Sequence, residues 1–198
     1  MKWTIIICSV CLLTACASKL SKQEKNEGGV LSVFHIDDNG MKQGKKKVTH
    51  PEGYTMELAE YVDDKLEGQR TIFYDTGKPE LIEYYVNDEL QGAYKAYYPS
   101  GQLKYEVQYE AHVMDGLFTQ YYDDGTKKEE VHFKDNEENG PFTEYHKNGQ
   151  KKWVGQFKNG DNEVGELLEY DSTGQLIKKM FCDENSVCNT TWSINNQN

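Results

Sequence analysis

The sequence predicts an all-β protein: tandem β-hairpin repeats of about 24 residues forming an elongated, twisted antiparallel sheet. Three observations predict it. Six glycine pairs, Gly44/Gly53, Gly68/Gly77, Gly92/Gly101, Gly116/Gly125, Gly140/Gly149 and Gly165/Gly174, keep a spacing of 9 within each pair, and the leading glycine advances by 24, 24, 24, 24 and 25. Fixed self-similarity at such a period marks a repeat architecture. The intervening segments alternate: Tyr105, Val107 and Tyr109 share one face, and Lys104, Glu106 and Gln108 take the other. That is the period of a half-buried strand, and it excludes a helical solenoid. All 14 tyrosines fall between Tyr54 and Tyr170, where large aromatic side chains can stabilise a thin sheet.

The chain opens with a charged Met1-Lys2, followed by an apolar stretch over residues 3–15. That stretch is too short to span a bilayer, which needs about 20 residues, and has the length of a signal-peptide core. Residues 1–15 are therefore predicted to be a signal peptide preceding the repeats. The stretch ends in Leu13-Thr14-Ala15-Cys16, which resembles the lipobox of bacterial lipoproteins. The resemblance implies cleavage before Cys16 and lipid attachment to it; the alternative is an ordinary secretory signal with a chance cysteine. Position 17 is Ala, not the Asp that retains such lipoproteins in the inner membrane. The expected location is the bacterial cell envelope, at the outer membrane if the host has two. Residues 16–30 are polar, mixed in charge and end in Gly28-Gly29, which reads as a lipidated flexible tether.

The repeat domain is predicted over residues 31–194, with repeats starting at 44, 68, 92, 116, 140 and 165. In the third repeat, residues 93–98 are β-prone, Pro99-Ser100-Gly101 forms a turn, and residues 102–109 make the alternating return strand. Five residues after the leading glycine stand Phe73, Tyr97, Tyr121, Tyr145 and Tyr170, and next to four of these stand Tyr74, Tyr98, Tyr122 and His146. Seventeen residues after it stand Tyr61, Tyr85, Tyr109, Phe133 and Phe157. The first repeat is degenerate and residues 31–36 resemble a half-repeat, as caps of an array require. With strands about 4.8 Å apart, six two-strand repeats would extend roughly 60 Å if the sheet stays open.

The pattern G-x-x-x-x-[YF]-Y-x-x-G, cleanest in Gly116-Leu117-Phe118-Thr119-Gln120-Tyr121-Tyr122-Asp123-Asp124-Gly125, resembles bacterial MORN-type repeats. Specifically it resembles the variant found in YwqK-type antitoxins, and the likeness covers about residues 44–181. The resemblance implies a repeat fold and an interaction module. The lipid anchor departs from a cytosolic antitoxin and suits an immunity protein facing a toxin outside the cytoplasm.

A formal net charge of −11 disfavours nucleic acid and admits a basic protein partner. No nucleophile elbow, zinc-protease motif, phosphate-binding loop or mature Cys-x-x-Cys pair occurs, so neither catalysis nor a cofactor is expected. His35, His50, His112, His132 and His146 lack metal-ligand spacing, and residues 135–146 fail as a calcium loop because His146 stands where the last acidic ligand belongs. No metal site is expected. Cys182 and Cys188 flank the last turn and are predicted to form a disulfide in an oxidising compartment. Tyr74, Tyr97, Tyr98, Tyr121, Tyr122 and Tyr145 are the candidate partner-binding residues, because exposed tyrosines on a rigid sheet make recognition anchors. Packing of the same tyrosines against neighbouring hairpins is the competing reading. The expected function is a lipid-anchored protein-binding module, antitoxin-like or immunity-like. The rival is a structural envelope lipoprotein contacting wall polymer or other envelope components.

Overall fold

The computed structural model describes residues 19–196. The predicted signal peptide and Cys16 lie outside the described residues.

The sheet begins earlier than the sequence predicts. Where a tether was expected to run to Val30, β1 (Ser21–Glu27) pairs with β2 (Val30–Ile36) along all 7 of its residues, Ser21 opposite Ile36 and Glu27 opposite Val30. Gly28 and Gly29 adopt φ of +60° and +89° and form the turn between them. Two central residues at positive φ match the right-handed twist of the flanking strands. Pattern reading misses β1 because SKQEKNE carries no apolar alternation. An edge strand needs only backbone partners, and its charges discourage a second chain from pairing with it.

The repeats follow as hairpins: β3 (Lys42–Thr49) with β4 (Thr55–Val62), then, after the short β5 (Lys65–Leu66), β6 (Gly68–Phe73) with β7 (Pro79–Val86). The third repeat has β8 (Glu89–Leu90), β9 (Gly92–Tyr97) and β10 (Leu103–Glu110); the fourth has β11 (Val113–Met114), β12 (Gly116–Tyr121) and β13 (Lys127–Lys134). β14 (Glu137–Tyr145) with β15 (Lys151–Phe157), and β16 (Glu163–Tyr170) with β17 (Leu176–Cys182), complete the six, and β18 (Cys188–Ser193) caps the end. The pairings are all antiparallel, and among the described residues none joins β18 back to β1, so the sheet is an open meander. The main contacts between elements link neighbouring strands, and among the described residues no second layer covers either face.

Two kinds of turn alternate along the two rims. Within a repeat, the Gly101 N–H donates to the Tyr98 carbonyl at 2.8 Å and the Tyr98 N–H to the Gln102 carbonyl at 2.8 Å, with Gly101 at φ +92°. Between repeats the turn has two residues at positive φ: Asp63/Asp64, Asn87/Asp88, Ala111/His112 and Asp135/Asn136. The second of each pair also latches onto the preceding repeat. The Asp88 N–H donates to the Leu66 carbonyl at 3.0 Å, and the Leu66 N–H donates to Asp88 Oδ1 at 2.6 Å. Asp64, His112 and Asn136 repeat this double bond against Lys42, Leu90 and Met114.

The core is a stripe on one face of the single layer. Val107, Val131, Phe142, Leu167 and Cys182 are each no more than 4 % exposed. Fully burying a side chain such as Val131 contributes roughly 1.5–3 kcal/mol. Tyr94, Tyr105, Phe118 and Phe133 run along this face with successive ring centroids 5.7–6.0 Å apart. Where the third and fourth repeats carry Val107 and Val131, the fifth has Gly155. A Cβ there would lie 2.7 Å from the Phe142 ring and 2.9 Å from Leu167, so the missing side chain makes room for Phe142 to stack on Phe157 at 4.2 Å.

Candidate interaction surface

The two tyrosines of each pair have different roles, set by strand alternation. The second residue of the pair sits at the turn and reaches the following repeat. Tyr74, Tyr98 and Tyr122 hydroxyls donate to the backbone carbonyls of Tyr97, Tyr121 and Tyr145 at 2.7, 2.9 and 2.9 Å. His146 Nε2 continues the series to the Tyr170 carbonyl at 2.9 Å.

The first residue of the pair lies on the face opposite the core stripe and leans toward the preceding repeat. The Tyr121 hydroxyl donates to Glu106 Oε1 at 3.1 Å, and the Tyr145 hydroxyl to Glu130 Oε2 at 2.6 Å. Burial, then the bond to Glu130, pushes the Tyr145 phenol up to about 12. For Glu130, burial opposes ionisation, but bonds from Lys127 and Tyr145 outweigh it and hold the carboxyl below its ordinary value. All six candidate tyrosines are half-buried, and five of them spend their hydroxyls on the sheet itself. Tyr97 is the sixth: its hydroxyl has no partner among the described residues, and its ring lines a shallow depression of about 540 Å³ with Ile82, Tyr84, Gln91, Gly92, Ala93 and Lys95.

Sequence reasoning missed a charged ladder on the core face of the first two repeats. Lys46, Glu57, Arg70 and Glu83 stand on successive strands β3, β4, β6 and β7. Lys46 Nζ lies 3.3 Å from Glu57, Arg70 Nε 3.0 Å from Glu57, and Arg70 Nη1 2.9 Å from Glu83. Glu83 is 6 % exposed and occupies the position that Val107 and Val131 hold in the next two repeats. Burial alone would lower the Arg70 guanidinium, but the bonds and charges of Glu57 and Glu83 together hold it raised. The signal was present as a break in the apolar stripe at Arg70 and Glu83.

Acidic residues crowd the inter-repeat rim. Asp63, Asp64, Glu67, Asp88, Glu89, Asp115, Asp135 and Glu137 lie in or beside its turns, with Lys65 among the few cations there. At the C-terminal end, Cys182 opposes Cys188 across β17 and β18, and the two form a disulfide. The Glu163 carboxylate and both sulfurs lie within 4.8 Å of one another, but the sulfurs are committed to each other and offer no thiolate to a metal. The histidines act locally: His50 stacks on Tyr54 at 4.4 Å, and His112 Nδ1 accepts the Leu90 N–H at 3.3 Å.

The family model of the MORN repeat variant matches residues 66–87, 90–111 and 114–135. These matches cover the second, third and fourth repeats, from the short strand before each leading glycine to the following two-residue turn. The chain therefore carries MORN-variant repeats, and the first, fifth and sixth repeats continue the same hairpin geometry. No match is found among curated proteins.

Proposed function

We propose that this chain is a lipid-anchored, protein-binding repeat module of the bacterial cell envelope, held by Cys16 and presenting its sheet to a basic protein partner. The observation that carries the reading is the uncovered single layer: repeats that bury a core stripe within one sheet leave a broad face and an acidic rim free for a partner. Rigid repeat surfaces of this kind are suited to extended recognition. The net charge of −11, concentrated at the inter-repeat turns, favours a cationic partner by long-range attraction. An antitoxin or immunity role is the specific form in which that partner is a toxin.

Two measurements test the proposal. Metabolic labelling with a fatty acid should tag the wild-type chain and not Cys16→Ala, which should leave the membrane fraction. Photo-crosslinking in cells from the face that carries Tyr97 should trap a basic protein in the wild type. A labelled Cys16→Ala chain, or crosslinks only to acidic proteins or to none, would overturn the anchor and the binding role respectively.

A further inference from the structure

We propose that the depression between β7 and β9 takes one apolar side chain of a basic polypeptide segment, which lies across the sheet with its Lys or Arg residues toward the acidic rim. This inference rests on the protein-binding reading above and names the docking point. Ile82, Tyr84, Gln91, Ala93, Lys95 and Tyr97 line a space of about 540 Å³ on the face opposite the core stripe. The space exists because Ala93 is small: the same repeat position holds Gln69 in the second repeat and Leu117 in the fourth. Leu58, Tyr84, Val86 and Leu117 are exposed on this same face. Leu58 on β4 and Leu117 on β12 span six strands, about 24 Å at the usual strand spacing, and the apolar side chains between them on β7 and β9 alternate with Gln69 and Thr71 on β6 and Lys104, Glu106 and Gln108 on β10. That length suits an extended polypeptide rather than a small molecule.

Charge selects the sign of the occupant. Lys95, the one cation in the lining, is held by Glu106 at 3.3 Å. Asp88, Glu89 and Glu110 lie at the rim end of β7, β8 and β10, exposed and without an ion pair among the described residues. An apolar anchor flanked by cations would fill the gap left by Ala93 and pair with the Glu89 and Glu110 carboxylates, while Asp88, whose Oδ1 already accepts the Leu66 N–H, adds negative charge beside them.

Selection of a random displayed-peptide library on the immobilised full chain tests this. Enriched peptides should share an apolar residue beside Lys or Arg. Ala93→Leu should weaken them roughly tenfold, the loss expected when an anchor pocket is filled. Asp88→Asn with Glu89→Gln should weaken them further at low salt. Ala93→Leu installs the residue that the fourth repeat already tolerates at this position, and Ala93→Gln, matching Gln69, gives a second variant if leucine perturbs the fold. No enrichment, enrichment of acidic peptides, or binding indifferent to both Ala93 variants would overturn the docking point. If a basic partner is still crosslinked in cells after such a result, the protein-binding reading stands and only this location is lost.

Discussion

The Tyr98 hydroxyl donates to the backbone carbonyl of Tyr121 at 2.9 Å, so an aromatic at the turn of one repeat is bonded to the last strand residue of the next hairpin's first arm. Tyr74 to Tyr97, Tyr122 to Tyr145 and His146 to Tyr170 repeat the connection. On the opposite rim, Asp64, Asp88, His112 and Asn136 fasten each two-residue turn to the repeat before it. A single-layer sheet has no second layer to stiffen it, and these bonds hold its two rims in register. The candidate tyrosines thus divide between scaffold and surface by whether their hydroxyls are already spent.

Tyr98→Phe should lower the free energy of unfolding by about 1 kcal/mol, the usual net contribution of one hydrogen bond. The ring stays in place, so the change isolates the hydroxyl. Denaturant unfolding should show a lower midpoint with an unchanged slope. Tyr97→Phe, whose hydroxyl bonds to nothing within the described sheet, should leave the midpoint where it is. Equal losses in both variants would remove the distinction between the two positions.

Glu129 should make the fold less stable at neutral pH. It stands directly opposite Glu144 across β13 and β14, and burial first, then the charges of Glu144 and Glu138, push its carboxyl up. A carboxyl raised in the folded state stabilises the fold in its protonated form. That contribution is complete below the unfolded value and is lost as pH rises through the folded value. Glu129→Gln should therefore stabilise the protein by about 0.5 kcal/mol at neutral pH, within the range for opposed like charges. The gain should shrink as the pH falls into the ordinary carboxylate range. Thermal melts of both proteins across that interval measure it; a gain that grows on acidification would contradict the sign.

The hairpin architecture was legible because spacing and alternation are local properties: glycines at positive φ and one apolar face recur whatever the neighbours do. Other features depended on partners distant in sequence. β1 is charged on both faces and is a strand only because β2 offers it a free edge. The Tyr98–Tyr121 bond spans 23 residues, and nothing in a single tyrosine pair says which hydroxyl meets a carbonyl in the next repeat. The depression at Ala93 is visible only by comparing one position across repeats, where a small residue interrupts larger ones. The aromatic positions were legible from spacing; which hydroxyls bond within the sheet required the geometry.

The charged ladder supplies the sharpest test of how interchangeable the repeats are. Arg70→Met should destabilise the protein by about 3 kcal/mol, because Glu83 would remain buried without its cation. Replacing both partners removes the charge that needs compensation. Arg70→Tyr with Glu83→Val installs the pair that the third repeat carries as Tyr94 and Val107. Glu57 would keep Lys46 at 3.3 Å, so no second orphan is created. The double variant should unfold within about 1 kcal/mol of the wild type, since exchanging a buried ion pair for packed side chains is often close to neutral. Denaturant unfolding of the single and double variants gives the coupling directly. If the double variant is as unstable as Arg70→Met, the second repeat needs its charges for more than mutual compensation, and its core differs in kind from that of its neighbour.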